Sequence, residues 1–186
     1  MKVGILALQG DFREHGRVVA SLGATPLEVR TLDELAGVDA LIIPGGESTT
    51  IGKLARAYGL VEPIRDRAGG GMPMLGTCAG MIVMARRVEG GEPLLDLVDV
   101  TVQRNAYGRQ VESFEADVEV RGIPEPVRGV FIRAPQVDDV GPEVEVLAHH
   151  EGRPVVARQG NLVVASFHPE LVGETRLHQY LLEDVI

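Results

Sequence analysis

Apolar positions follow two rhythms along this chain of 186 residues. In the first half, short unbroken apolar runs alternate with longer stretches of spaced apolar positions. "KVGILAL" (2–8), bounded by Gln9-Gly10-Asp11, predicts a buried strand. "FREHGRVVASLG" follows as a helix, with Phe12, Val19 and Leu22 as its apolar positions and Gly23 as its stop. "TPLEVR" (25–30) and "DALIIPGG" (39–46) predict two more strands, the second ended by Pro44 and two glycines. "STTIGKLARAYGL" (48–60) predicts a helix with Ser48 near its cap, and "EPIRDRAG" continues helically to Gly69-Gly70-Gly71. "MPMLG" (72–76) predicts a strand, and "AGMIVMARR" (79–87) the helix after it. Strands alternating with helices specify a parallel sheet covered by helices.

The second half changes rhythm. "LVDVTVQR", "FEADVEV", "VRGVFIRA", "EVEVLAHH", "RPVVARQG" and "NLVVASFH" are rich in β-formers and separated by Gly, Pro and Asp. "RQGNL" (158–162) predicts a hairpin turn, and "ETRLHQYLLEDV" (174–185) a closing amphipathic helix. No linker divides the chain. The expectation is one domain over 1–186, an α/β fold whose central, mostly parallel sheet carries helices on both faces. Additional antiparallel strands come from the second half.

Composition narrows the function. Hydrophobic residues make up 45%, which is globular, and the formal net charge is −9. An acidic chain argues against a nucleic-acid partner, which calls for a basic face. The apolar run that ends at Leu8 is too short for a secretory segment, and no run approaches the roughly 18 apolar residues of a membrane span. One cysteine cannot form an internal disulfide. The expectation is a soluble cytoplasmic protein with no membrane contact.

In α/β sheets, ligands gather at the carboxyl ends of strands. Three segments fall there: "PGGEST", "GTCAG" and "HPE". A lone cysteine is most often a small buried hydrophobe. Here "G-T-C-A-G" has the form of a nucleophile elbow with Cys78 in place of serine. Gly76 and Gly80 allow strand and helix to approach, and a helix opening at Ala79 aims backbone N–H groups at the sulfur. Such a placement, with a base nearby, lowers a thiol's pKa.

His168 stands apart from the other four histidines because it ends an apolar strand and precedes Pro169-Glu170. If that segment is extended, His168 and Glu170 point the same way, and Glu170 can orient the imidazole toward the thiol. "GESTTIGKL" resembles a phosphate loop but has the wrong glycine spacing, and Leu54 stands where Ser or Thr is needed. What remains is a bare turn, whose Gly46 N–H is a candidate oxyanion donor alongside that of Ala79. No metal-ligand spacing is present: His149 and His150 are adjacent, and there is no second cysteine.

These residues carry a resemblance. "PGGEST", "GTCAGM" and "SFHPE", in that order, resemble the class I, triad-type glutamine amidotransferases, with their three-layer flavodoxin-like fold. "GILALQGDFREH", "GTCAGMI", "FIRAP" and "SFHPEL" are most similar to the glutaminase subunits of pyridoxal 5′-phosphate synthases. The resemblance implies Cys78 as nucleophile, His168 as base and Glu170 as its orienter, acting on L-glutamine without a cofactor. It implies a glutamine pocket from Gly46, Glu47, Ser48, Arg104 of "QRNAYGRQ", Ile132 and Arg133. An arginine suits the substrate's α-carboxylate, and which one makes the contact stays open. It also implies a (β/α)8 synthase partner, in a large hetero-oligomer, that receives the ammonia. Competing readings are the glutaminase of another synthase, such as imidazole glycerol phosphate synthase, and a non-catalytic binding protein on the same scaffold. Nothing suggests the extended groove of a cysteine peptidase.

Overall fold

The computed structural model of the protein describes residues 1–104 and 113–185. The first half runs β1 (Lys2–Leu6), α1 (Phe12–Ser21), β2 (Thr25–Val29), α2 (Leu32–Ala36), β3 (Ala40–Ile43), α3 (Ser48–Ala57), α4 (Val61–Gly69), β4 (Met74–Thr77) and α5 (Ala79–Met84). The second runs β5 (Ala85–Glu89), β6 (Val98–Gln103), β7 (Phe114–Val118), β8 (Val127–Phe131), β9 (Gln136–Val140), β10 (Glu145–His150), β11 (Arg153–Gln159) and β12 (Leu162–Ala165). A 3-10 turn (Glu170–Val172) and α6 (Arg176–Asp184) close it.

Seven strands form the central sheet in the order β10-β11-β12-β4-β3-β1-β2. β12, β4, β3, β1 and β2 pair in parallel, while β11 and β10 add antiparallel at one side. The strand period of two then sorts the core. Along β3, Leu41 and Ile43 join one apolar cluster and Ala40 and Ile42 the other. The first cluster takes in Leu35, Ile51, Ile64 and Met81 from α2 to α5, together with the small sheet β5-β6-β9. The second takes in Val19 of α1, Leu177 and Leu181 of α6, and the β7-β8 pair. The expected layering, helices on both faces of a mostly parallel sheet, is what forms.

Several local expectations give way. α2 was not foreseen, yet Thr31 and Glu34 close a reciprocal capping box there. Glu47, and not Ser48, caps α3, its carboxylate accepting from the amides of Thr49 and Thr50. The helical stretch breaks at Gly59, whose φ of +67° suits a residue without Cβ. The helix expected over 79–87 ends at Met84; Ala85 turns extended and begins β5, which pairs in parallel with β6. An apolar run that short does not distinguish helix from strand, and tertiary pairing decides it. β12 ends at Ala165, three residues before His168. The 158–162 turn does close a hairpin, with Gln159 opposite Leu162 and Gly160 at φ +57°.

Candidate active site

β12, β4 and β3 are neighbours running the same way, so their carboxyl ends open on one edge of the sheet. This arrangement brings the three sequence segments together. Cys78 follows β4 directly, at φ 49° and ψ −106°, a conformation unfavourable for a residue with a side chain. Packing enforces it. A Cβ on Gly80 would stand 2.0 Å from the Ile43 carbonyl oxygen, and one on Gly76 would stand 2.6 Å from the Met84 sulfur. The Cys78 N–H donates to the Ala165 carbonyl at 2.8 Å, which ties the turn to the end of β12.

His168 is held by its backbone. It exchanges two hydrogen bonds with Val130 of β8, His168 N–H to Val130 O at 2.8 Å and Val130 N–H to His168 O at 3.1 Å. The same strand therefore delivers Ile132 and Arg133 to the site. The segment after His168 is not extended. Pro169 takes a helical conformation and Glu170 begins the 3-10 turn, so the carboxylate folds back to the imidazole instead of sharing a strand face with it. Nδ1 of His168 lies 2.7 Å from Glu170 Oε1 and 3.2 Å from Asp11 Oδ2. A proton on Nδ1 serves both carboxylates, which leaves Nε2 for the thiol. Gly45 makes room, because a Cβ there would stand 2.2 Å from His168 Cε1.

The electrostatics follow from this packing. Burial alone disfavours a charged His168; hydrogen bonds from its ring to the Asp11 and Glu170 carboxylates and to Cys78 overcome it and raise the pKa to about 12. The thiol lies beside the imidazole as one of those partners, and its sulfur is 3.9 Å from the Ile132 carbonyl oxygen. Burial pushes Glu170 the other way for an acid, above its ordinary value, against the pull of His168.

In front of Cys78 and His168 lies a cavity of about 400 Å³. Gly46, Glu47, Ser48, Ala79, Arg104, Ile132 and Arg133 all border it, while Glu170 is buried behind the imidazole. Gly46 is at φ +152°, pressed against the side chain of Gln9, whose Oε1 accepts from the Glu47 N–H at 2.6 Å. Slight burial works against the Glu47 charge, but bonds from Thr50 and Thr49 keep its carboxyl below the ordinary range. Arg104 reaches Thr49 Oγ1 at 3.0 Å and Glu47 Oε1 at 3.4 Å. Residues 105–110 of the "QRNAYGRQ" motif lie outside the described residues. Arg133 stands at φ 45°, a second strained position on the rim.

Two residues at this centre escaped the sequence reading. Asp11 borders the cavity, and His15, fully buried, lies 3.5 Å from Glu170 Oε1. Both sit in "QGDFREH", four positions apart at the start of α1 and so on one helix face, just after the carboxyl end of β1. That spacing was the available signal. Chemically, the assembly is a thiol beside an imidazole whose far nitrogen is fixed by carboxylates, the set needed for nucleophilic attack on an acyl carbon.

Comparison with known proteins gives the lineage. The chain is 55% identical over 184 residues to the pyridoxal 5′-phosphate synthase subunit PdxT of Niallia circulans, covering 98% of this chain and 97% of that one. It is 54% identical over 188 residues to the PdxT subunit of Pelotomaculum thermopropionicum, covering 100% and 96%. A crystal structure described as a glutamine amidotransferase superposes with a TM-score of 0.93 at 52% identity, covering 97% of each chain. The α/β fold described above is therefore that of the class I glutamine amidotransferases. The SNO glutamine amidotransferase family model matches residues 5–186, and the chain belongs to that family.

Proposed function

We propose that this chain is the glutaminase subunit of a pyridoxal 5′-phosphate synthase. It hydrolyses L-glutamine to L-glutamate and ammonia. One observation carries the chemistry: Cys78, on its strained turn, faces an imidazole whose Nδ1 is held 2.7 Å from Glu170. The relatives named as PdxT support the choice of acceptor pathway.

The Cys78 thiolate attacks the side-chain amide carbon, and the carbonyl electrons move to oxygen. The backbone N–H groups of Gly46 and Ala79 stabilise that oxyanion. Protonated His168 passes its Nε2 proton to the departing nitrogen, so ammonia leaves and a γ-glutamyl thioester remains. His168, now neutral, takes a proton from water; the resulting hydroxide attacks the thioester, and glutamate leaves as the thiolate–imidazolium pair is restored. Glu170 stays ionised throughout and stabilises the imidazolium. Arg104 and Arg133 face the α-carboxylate, and Glu47, Ser48 and Ile132 shape the pocket around the substrate.

Ammonia released into water is protonated and lost to synthesis. The reading therefore includes a (β/α)8 synthase partner, assembled with this chain in a large hetero-oligomer, that takes ammonia directly from the site. The test measures glutamate and ammonia release by the full chain with and without the synthase. Hydrolysis should rise on adding the synthase and vanish in Cys78→Ala; full turnover in that variant, or no turnover with a bound synthase, refutes the assignment.

A further inference from the structure

Behind the cavity lies a buried polar row that the proposed chemistry does not use. His15 of α1 and His178 of α6 have no exposed surface, nor has Thr77, which precedes the nucleophile. His15 Nε2 lies 3.0 Å from Thr77 Oγ1 and 3.5 Å from Glu170 Oε1, and His15 Nδ1 lies 2.8 Å from His178 Nε2. Glu170 Oε2 and His178 Nδ1 are buried without a hydrogen-bond partner among the described residues. Two histidines placed in an otherwise apolar core need a reason, since each forgoes hydration to be there.

The hydrogen positions can be argued from both ends of the row. A bare Nε2 on His15 would set a lone pair 3.5 Å from a carboxylate oxygen, so Nε2 carries the proton, donates to Thr77 Oγ1 at 3.0 Å and turns its positive N–H edge to Glu170 Oε1. Burial, then the neighbouring His178 and His168, hold His15 well below its ordinary pKa, so the ring is neutral and Nδ1 is bare. His178 must then donate its Nε2–H to that nitrogen. Its own Nδ1 is left bare, and an unpartnered acceptor is better tolerated than an unpartnered donor. Both ends give one assignment, in which every N–H in the row points toward Glu170.

We propose that His15 is a positioning residue of the glutaminase centre, holding the Glu170 carboxylate ionised and turned toward His168, with His178 fixing the His15 tautomer. The inference rests on the glutaminase reading above. Glu170 needs the support, because burial raises its proton affinity and one of its oxygens has no partner. The charged or titratable groups facing it are His168 from its own segment, Asp11 and His15 from α1, and, one step removed, Cys78 and His178. Of these, His15 is the neutral ring whose N–H edge lies 3.5 Å from it on the side of the core.

The test compares His15→Leu and His15→Gln in the full chain, assayed with the synthase partner for kcat, KM and their pH dependence. Loss of the buried N–H that faces the Glu170 carboxylate predicts a fall in kcat of about 10- to 100-fold for His15→Leu. KM should stay within about twofold, and the acid limb of the profile should move to higher pH by about one unit. Gln places an amide N–H near the Nε2 position and should recover most of the rate and return the acid limb toward wild type. Should His15→Leu fail to fold, His178→Leu, which frees the tautomer, is expected to move the acid limb in the same direction by less. The proposal is overturned if a folded His15→Leu, or in its place His178→Leu, keeps the wild-type profile. It is equally overturned if Leu and Gln are impaired alike with the limb unmoved, which is a packing defect. Wild-type protein inactive with the synthase would sink the glutaminase reading instead, so the two failures are distinct.

Discussion

Asp11 stands at the N-cap of α1, yet its carboxylate makes no bond to that helix and lies 3.2 Å from Nδ1 of His168. An aspartate there ordinarily accepts from the amides of the first turn, a bond worth about 1 kcal/mol. Forgoing it in favour of the imidazole sets a second carboxylate beside the group that must carry a proton. The His168 pKa, raised from 6.5 to about 12, has a definite sign. The protonated ring is favoured in the folded protein, and that stabilisation is complete below pH 6.5 and lost as the pH climbs toward 12. Asp11→Asn keeps the size and the capping ability and removes the charge. The alkaline limb of kcat/KM should shift down by about one pH unit, with the His168 resonance in an NMR titration moving alongside it. An unmoved limb and resonance mean that Glu170 alone sets the state of the ring.

The buried histidine pair predicts acid sensitivity of the fold. Burial lowers the His178 pKa from 6.5 to about 4. The unfolded chain therefore binds more protons between those values, and stability falls as the pH drops from about 6.5 toward 4. The full effect for this residue is about 3 kcal/mol, at about 1.36 kcal/mol per pH unit. Glu170, an acid with a raised pKa, contributes the opposite slope over part of that range. A denaturant series from pH 7 to pH 4 on wild type and His178→Leu separates the two. The variant should show a shallower dependence on pH even if it is less stable throughout, and parallel curves would contradict the burial argument.

The sheet was legible because periodicity reports burial. β1, β3 and β4 read as apolar runs since both their faces are covered, and glycine or proline marks their ends. β5 and β9 were not legible: Arg86 and Arg87, or Asp138 and Asp139, sit in strands only because β6 lies between them. The site divides in the same way. Cys78 and the glycine turn announce themselves by sitting at strand ends, and His168 by following an apolar strand within three residues. The route from His168 to Glu170 was misjudged because proline fixes φ and leaves ψ free, and here ψ is −31°. Asp11 and His15 matter only through contacts across 157 and 155 residues of chain, to His168 and to Glu170, and no local pattern encodes those.

The two arginines at the cavity should differ in their effect on substrate binding. Arg104 is already engaged with Glu47 and Thr49 at the start of α3. Arg133 has no ion-pair partner among the described residues, and it stands two residues past the end of β8, the strand whose Val130 pairs with His168. A guanidinium without a competing carboxylate has more to gain from the α-carboxylate of glutamine. Arg133→Met should raise KM for glutamine about 10- to 100-fold with a smaller change in kcat, and Arg104→Met should raise it less. A larger effect at Arg104 would reverse the assignment and make its bonds to α3 a resting arrangement that substrate displaces.

Gly80 tests whether the turn at Cys78 is imposed by packing. An added Cβ would lie 2.0 Å from the Ile43 carbonyl oxygen and 2.9 Å from its carbon, both backbone atoms of a central strand. Such atoms cannot swing aside as a side-chain tip does, so Gly80→Ala must push α5 away from β3. Overpacking of this kind costs about 1–3 kcal/mol. The Cys78 conformation depends on the same contact, because α5 begins at the next residue. Two consequences should then appear together: a lower denaturation midpoint, and loss of glutaminase turnover larger than the unfolded fraction explains. Gly16 provides the control. It lies in α1, and its nearest neighbour to an added Cβ is a side-chain carbon at 3.7 Å, an ordinary contact. Gly16→Ala should keep both stability and turnover, since it adds a better helix former without moving backbone. If Gly80→Ala behaves like Gly16→Ala, the strained turn at Cys78 does not depend on how closely α5 approaches β3.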